Sequence, residues 1–131
     1  MSVLRPHEPP HRKMYPLEDD PATLHYAVTD DTGEVVAVGS AMPDPHPVDP
    51  RPGDWRVRGM ATGPERRGEG LGGQVLARLE LDGATRGARR IWCNARSGAR
   101  SFYEHAGYTA EGEEFEIPGI GPHFLMAKPL R

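Results

Sequence analysis

The sequence predicts a single α+β domain over residues 1–131, and three observations carry this prediction. A length of 131 residues suits one domain and is too short for two ordinary ones. Segments with strand periodicity stand before, between and after two helical segments, in the order strands, helix, strand, helix, strands. Ten of the 14 prolines lie in residues 1–52 and none in residues 65–117, so proline interrupts none of the central elements.

The first part of the chain predicts a loop followed by a hairpin. Residues 1–22 are rich in proline and charge and favour a loop or short turns. Apolar and polar side chains alternate over residues 24–29, which predicts a strand. The sequence Asp-Thr-Gly at residues 31–33 is typical of a turn, and residues 34–41 form the returning strand. Residues 43–53 hold five prolines and predict an exposed loop.

A third strand and a longer helix are predicted next. The strand covers residues 55–62, and the helix has about four turns and ends near Gly83 or Gly87. The buried face of this helix is marked by apolar residues at helical spacing, namely Leu71, Val75, Leu76 and Leu79. Residues 90–94 then predict a short buried strand.

The chain ends in a short helix and two strands. Ser97 is a candidate N-cap for this helix, and its apolar face carries Phe102 and Ala106. A glycine directly after Ala106 ends the helix. The two last strands are predicted over residues 108–117 and 123–128, with a Pro-Gly-Ile-Gly-Pro turn between them.

Composition argues against several function classes. A net charge of −3 is unlike the strongly basic balance of nucleic-acid binders. No apolar run approaches the ~20 residues that span a bilayer, and the N-terminus has no apolar core of a secretory signal. A single cysteine, Cys93, rules out an internal disulfide framework and a multi-thiolate zinc site. We therefore expect a cytoplasmic protein without a metal and without membrane or nucleic-acid partners.

Two motif matches fail on their structural context. Residues 7–11 read His-Glu-Pro-Pro-His and fit the zinc pattern H-E-x-x-H, but the two prolines oppose the helix that would bring both histidines together. Residues 68–73 fit G-x-G-x-x-G, but five residues separate them from the predicted strand. No carboxylate follows about 20 residues later to bind a ribose. Neither a zinc site nor a dinucleotide site is predicted here.

The glycine cluster is better explained as the start of the first helix. Glycines allow a backbone to approach a ligand closely, and successive N–H groups at a helix N-terminus bind anions. The ligand that this chemistry indicates is a pyrophosphate.

Three segments resemble the GNAT N-acetyltransferases. Residues 67–72 (Arg-Gly-Glu-Gly-Leu-Gly) look like the family's Q/R-x-x-G-x-G/A signature, which cradles the pyrophosphate of acetyl-coenzyme A (acetyl-CoA). Residues 60–64 resemble the end of the family's fourth strand, whose backbone pairs with the pantetheine arm. Residues 99–108 are similar to the family's A-x-x-[FL]-Y-x-x-x-G-[FY] helix. The resemblance covers residues 23–131.

This resemblance implies a GNAT-like three-layer fold with a central mixed, mostly antiparallel sheet, parted to admit acetyl-CoA, and a reduced N-terminal helical region. It implies direct transfer of an acetyl group from acetyl-CoA to an amine of a small molecule or peptide. The alternative is a non-catalytic module that binds acyl-CoA as a sensor or partner subunit. A homodimer, common in the family, is expected. The cofactor-binding residues that the resemblance implies are Met60, Ala61, Thr62, Arg67, Gly68, Glu69, Gly70, Leu71, Gly72, Gly73, Arg96 and Ala99.

The sequence departs from the family pattern at three places. The first strand and the helices that shape the acceptor pocket are missing or reduced to residues 1–22. Arg96 stands where many members have asparagine, and Arg58 stands about where the fourth strand often supplies a catalytic glutamate. Residues 112–126 are similar to a bacterial subgroup of mostly unassigned substrate.

The resemblance also assigns the chemistry in part. Tyr103 matches the family's general acid, and a phenol is protonated at neutral pH and can donate to a leaving thiolate. Cys93 is predicted to pack as a small apolar residue. The base stays open, and besides a water relay or no base its candidates are His25, His123, Glu113 and Glu114.

Arg58 has two interpretations. Alternation along a strand places Asp54, Arg56, Arg58 and Met60 on one face. A guanidinium cannot act as a base, but it can hold a carboxylate of the acceptor in a bidentate pair. It can equally pair with Asp54 or Glu113 and only stabilise the strand.

Overall fold

The computed structural model describes residues 13–16, 23–30, 32–62 and 70–130. The described strands are β1 (Lys13–Pro16), β2 (Leu24–Thr29), β3 (Val35–Pro43), β4 (Asp54–Thr62), β5 (Arg90–Arg96), β6 (Thr109–Ile117) and β7 (Gly121–Pro129). The helices are α1 (Leu71–Thr85) and α2 (Arg100–His105), and a 3-10 turn (Ser97–Ala99) precedes α2.

The described strands form one mixed sheet in the order β1-β2-β3-β4-β5-β7-β6. Within it β4 and β5 run parallel, and the other neighbouring strands pair antiparallel. Parallel neighbours need a crossover connection, and α1 supplies it. The predicted α+β class with a mixed, mostly antiparallel sheet is confirmed.

Most predicted elements lie within two residues of their predicted bounds, and three expectations need correction. Part of the segment expected to be loop, Lys13–Pro16, is a strand that pairs with β2. Its four residues are too few for an alternation signal, so only the tertiary pairing reveals it. The 3-10 turn begins at Ser97 and makes Ala99 the N-cap of α2, so Ser97 does not cap this helix, and its hydroxyl donates to Glu114 Oε2 at 2.6 Å. The proline-rich loop is not wholly exposed, since His46 is buried.

Both helices contribute to one core on the same face of the sheet, which we call the helix face. Leu71, Val75, Leu76 and Leu79 of α1 are fully buried there, as the periodicity predicts. The backbone of β3 approaches α1 closely at Gly39, where a Cβ atom would lie 2.8 Å from Val75 Cγ1. A larger residue at this position would therefore push α1 away from the sheet.

The opposite face carries ionisable side chains, and we call it the charged face. Within the described residues no helix covers it. Strand register places five of its basic and imidazole groups on this side, namely His25, Arg56, Arg58, Arg96 and His123. No described helix combines the length and the apolar character that crossing a membrane requires.

Candidate functional site

The parallel strands β4 and β5 part soon after they meet. Their ladder holds three Cα pairs, of which the last joins Arg56 to Trp92. Beyond it β4 stays paired with β3 as far as Thr62, and β5 stays paired with β7 as far as Arg96. The facing backbone edges of the two strands therefore lack each other as partners. Unpaired backbone N–H and C=O groups are strong hydrogen-bonding groups, so this gap can bind an extended polar chain.

A β-bulge lies on β4 beside the gap. The register with β3 shifts between Val38 and Ser40, and Gly59 has φ +70°, a conformation that favours glycine. The extra residue reverses the alternation, so Met60 does not share a face with Arg58. The Met60 side chain packs into the helix-face core near Gly39. The expected common face of Asp54, Arg56, Arg58 and Met60 is thus wrong for Met60.

The N-terminus of α1 lies beside the end of β4. Gly70 is its N-cap at φ +78°, with no side-chain capping bond, and the first turn holds no acidic residue. A Cβ atom at Gly72 would lie 3.1 Å from Thr62 Oγ1 and 3.4 Å from the Phe102 ring. At Gly70 and Gly73 it would meet nothing within 4 Å. With respect to the described residues, the positive end of the helix dipole and its N–H groups therefore adjoin an uncrowded surface, which suits a phosphate.

Of the predicted cofactor residues, Met60 and Ala61 lie on β4 and Gly73 lies in α1, and the other nine divide into three groups. Thr62, Gly70 and Gly72 are brought together where β4 meets α1, and Leu71 is buried under the same turn. Arg96 and Ala99 stand at the end of β5 and before α2, on the β5 side of the gap. Among the predicted residues, Arg67, Gly68 and Glu69 lie outside the described residues, as do the histidines of the rejected zinc motif, His7 and His11.

Tyr103 is buried on the helix face beside Cys93 and packs edge-on against Phe102 and Tyr108, with ring centroids 5.0 and 5.4 Å away. Burial raises the pKa of Tyr103 above its ordinary value of 10.0, and Cys93 adds to the increase. Burial also raises the pKa of Cys93, to about 12. Tyr103 therefore carries a proton at neutral pH, and Cys93 is a neutral thiol, as its predicted packing role requires.

Asp54 and Arg90 form an ion pair on the charged face, where β4 begins. Burial opposes ionisation of Asp54, but hydrogen bonds from Arg90 and from the backbone N–H groups of Arg51 and His46 outweigh it and lower its pKa to about 2. The Nε of Arg90 donates to Asp54 Oδ1 at 2.8 Å. Asp54 is thus occupied by Arg90 and not by Arg58.

The histidines on this face differ in their hydrogen bonds. His25 Nδ1 lies 2.5 Å from Ser40 Oγ, and Ser40 is the cross-strand neighbour of Arg58. His123 is buried, and its Nδ1 lies 2.8 Å from the carbonyl oxygen of Gly121. Because a carbonyl only accepts, Nδ1 of His123 donates to it, and in the neutral ring Nε2 is then the acceptor nitrogen. Glu114 on β6, a further base candidate, accepts a hydrogen bond from the Ser97 hydroxyl.

Sequence reasoning missed the role of His46. Its Nδ1 accepts the backbone N–H groups of Val48 and Asp49, and its Nε2 lies 2.9 Å from Glu111 Oε1. Trp92 Nε1 also donates to the carbonyl oxygen of Asp44. These bonds pin the proline-rich loop across the charged face at the closed end of the gap. A lone histidine among prolines carries no periodic signal that could have revealed this.

Comparison with known proteins identifies the family. The profile of the acetyltransferase (GNAT) family matches residues 2–108. The uncharacterized N-acetyltransferase YitI of Bacillus subtilis (strain 168) is 33% identical over 129 residues, which cover 98% of this chain and 86% of that protein.

Solved structures share the fold. An aminoglycoside 6'-N-acetyltransferase complexed with coenzyme A matches with a TM-score of 0.70 at 20% identity, over 86% of this chain and 75% of that one. The ribosomal-protein-S18-alanine N-acetyltransferase of Escherichia coli matches with a TM-score of 0.65 at 19% identity, over 86% and 72%.

The described residues contain no cluster of three metal-ligating side chains. The family assignment rests on the profile and on YitI, and it favours the enzyme over the non-catalytic module. Because both matches span most of its length, this chain belongs to the GNAT family and is an acetyltransferase with acetyl-CoA as its co-substrate.

Proposed function

We propose that this protein binds acetyl-CoA in the gap between β4 and β5 and transfers the acetyl group directly to an amine on the charged face. The observation that carries the proposal is the parting of β4 from β5 after Arg56 and Trp92. The gap leaves backbone groups of residues 57–62 free of a β5 partner on one edge. The N–H groups of Met60 and Thr62 are the proposed donors to the acyl and pantetheine portions.

The pyrophosphate is assigned to the first turn of α1. Gly70, Leu71, Gly72 and Gly73 supply backbone N–H groups, and the uncapped helix end supplies a positive partial charge. The remaining proposed contacts come from Arg67, Gly68 and Glu69, which precede this turn, and from Arg96 and Ala99 across the gap. When bound, acetyl-CoA supplies an acetyl group activated as a thioester.

Tyr103 is proposed as the proton donor to the thiolate. Its raised pKa keeps the hydroxyl protonated, and its place on the helix face beside β5 puts it across the sheet from the amine. A donor of this kind assists departure of a thiolate whose own pKa lies near 8.5. Cys93 stays protonated and forms no acyl-enzyme, which supports direct transfer.

His123 is proposed to accept the proton that the amine loses. In the neutral ring its Nε2 is the acceptor nitrogen, and its cross-strand neighbour is Arg96 at the end of β5 that borders the gap. His25 lies on the far side of β3 and bonds to Ser40, so it serves as the matched comparison. Replacing His123 by Gln should lower kcat/KM at neutral pH by ~10²-fold, whereas His25→Gln should retain most of it.

The test of the proposed function is turnover of acetyl-CoA with a panel of amines. The release of the free thiol of coenzyme A is measured. Turnover with amine-dependent kinetics supports it, and binding of coenzyme A without turnover of any amine contradicts it. Use of acetyl-CoA, a soluble metabolite of the cell interior, supports a cytoplasmic location. The expected homodimer is proposed to pair through β6, an edge strand of the described sheet.

A further inference from the structure

Arg58 occupies a special position on β4. Arg56 and Trp92 form the last pair before β4 and β5 part, and Arg58 is the next residue of β4 on the charged face. Its side chain is exposed, and the bulge at Gly59 follows it directly. Arg58 therefore stands at the edge of the gap where the acetyl group is proposed to lie.

No carboxylate among the described residues pairs with Arg58. The two partners expected from the sequence were Asp54 and Glu113, and Asp54 is held instead by Arg90 at 2.8 Å. Glu113 forms no ion pair with Arg58 within the described part of the chain. A further acidic group, Glu111, is occupied too, since it bonds to His46 at 2.9 Å.

The surroundings of Arg58 add positive charge. The Arg56 guanidinium stacks on the Trp92 ring at 4.9 Å, and no described residue forms a hydrogen bond with its buried Nε. Its Nη1 forms a long ion pair with Asp44 Oδ2 at 3.6 Å. Arg96 stands on the same face across the gap. A rim with this charge attracts anions and repels a polyammonium acceptor.

We propose, on the basis of the proposed function, that the acceptor carries a carboxylate beside its amine and that Arg58 binds this carboxylate. The planar guanidinium matches a carboxylate with two parallel hydrogen bonds, which fixes the orientation of the amine as well as its position. The acceptor class is therefore a free amino acid or a compound with the same amino and acid groups.

The reaction balances with the groups already assigned. The amine nitrogen forms a bond to the acetyl carbon, and the bond from that carbon to sulfur breaks. The thiolate takes a proton from Tyr103, and the nitrogen releases one toward His123. The carboxylate is unchanged, so Arg58 acts as a specificity-determining residue and takes no part in proton transfer.

The experiment compares amino acids with their primary amides as acceptors, at saturating acetyl-CoA. The pairs have nearly the same size and differ in the negative charge. The amine of the amide is less basic, so more of it is unprotonated and reactive at neutral pH. A preference for the acid must therefore come from the protein. We expect a kcat/KM ratio of acid to amide of at least about tenfold for the best side chain.

Variants of Arg58 locate the source of this preference. Arg58→Ala and Arg58→Gln should lower kcat/KM for acids by roughly 10- to 100-fold and for amides by less than about threefold. Arg58→Lys should keep part of the preference, and Arg58→Glu should shift it toward amides and diamines. Arg89→Ala is the matched control, because Arg89 is exposed and lies before β5, at the closed end of the gap.

Three results would overturn the inference. Equal or better use of amides by the natural protein removes the selection for a carboxylate. Equal losses for acids and amides in Arg58→Ala assign the side chain to another role. A lower coenzyme A affinity in that variant, measured by calorimetry, places Arg58 in the donor site. Absence of turnover with every amine, acid or amide, instead contradicts the proposed function itself.

Discussion

The two faces of the sheet surround the same gap with different environments, one apolar and buried and the other charged. On the helix face, apolar packing removes water, and burial raises the pKa of Tyr103 and Cys93, so both groups stay neutral. On the charged face, guanidinium and imidazole groups lie near solvent or in hydrogen-bonded pairs. A dry face suits a group that must keep its proton, and a charged face suits recognition of a polar acceptor. In the proposed mechanism, proton donation and acceptor selection therefore lie on different sides of β4 and β5.

The largest expected effect is a loss of kcat on the helix face, caused by a substitution of Tyr103. Tyr103→Phe removes the hydroxyl and keeps the ring contacts, so kcat should fall by ~10²- to 10⁴-fold while coenzyme A affinity stays constant. Tyr108→Phe is the control, because Tyr108 is also buried and its hydroxyl donates to Glu80 at 2.8 Å. That variant should lose about 1 kcal/mol of stability and keep its kcat. Full activity of Tyr103→Phe on a good acceptor would show that Tyr103 only packs.

The next prediction concerns the donor site that both faces share. Gly70 has φ +78°, and no described residue lies within 4 Å of its absent Cβ, so Gly70→Val should place a side chain where the pyrophosphate is proposed to approach. We expect coenzyme A affinity to fall by at least about tenfold in calorimetry.

The control for Gly70→Val lies at the other end of α1. Gly87 has φ +102° and equally open surroundings, so Gly87→Val carries a similar backbone strain of roughly 1–2 kcal/mol. It should lower the melting temperature without changing coenzyme A affinity. Equal affinities for the two variants would remove the pyrophosphate from the start of α1.

The smallest expected effect concerns the charged face, where Asp54 should make the stability of the fold depend on pH. Burial opposes ionisation of Asp54, but its hydrogen bonds lower the pKa from 3.8 to about 2. Ionised Asp54 therefore stabilises the fold above about pH 4, and this stabilisation is lost as the pH falls toward 2. Asp54→Asn should reduce the free energy of unfolding near neutral pH by on the order of 1–2 kcal/mol.

The difference between Asp54→Asn and the natural protein should narrow as acid unfolding begins, in denaturation curves measured between about pH 2 and 6. Glu104→Gln is the control, because Glu104 pairs with Arg100 at an exposed site, where ion pairs contribute little. A pH-independent difference for Asp54→Asn would show that its pairing with Arg90 does not lower its pKa.

Much of the fold was predictable from local pattern. Strands β2 to β7 and α1 follow from alternation, helical spacing and glycine positions, because burial on one face imposes a period on the sequence. The start of α1 at the glycine cluster was also predictable, whereas the assignment of a cofactor to this segment stays a prediction. The four-residue β1, the 3-10 turn at Ser97 and the buried His46 were not, since each depends on partners distant in the chain.

What the sequence by itself determined was the order of elements, the family and the residues that face the core. The tertiary structure decided which groups meet. In the tertiary structure β4 and β5 separate after Arg56, and no residue pattern predicts where two strands stop pairing. The bulge at Gly59 separated Met60 from Arg58, because one extra residue reverses every side chain beyond it. It also paired Asp54 with Arg90, which lies 36 residues further along the chain. Long-range pairing of this kind leaves Arg58 without a carboxylate partner in the described part of the chain.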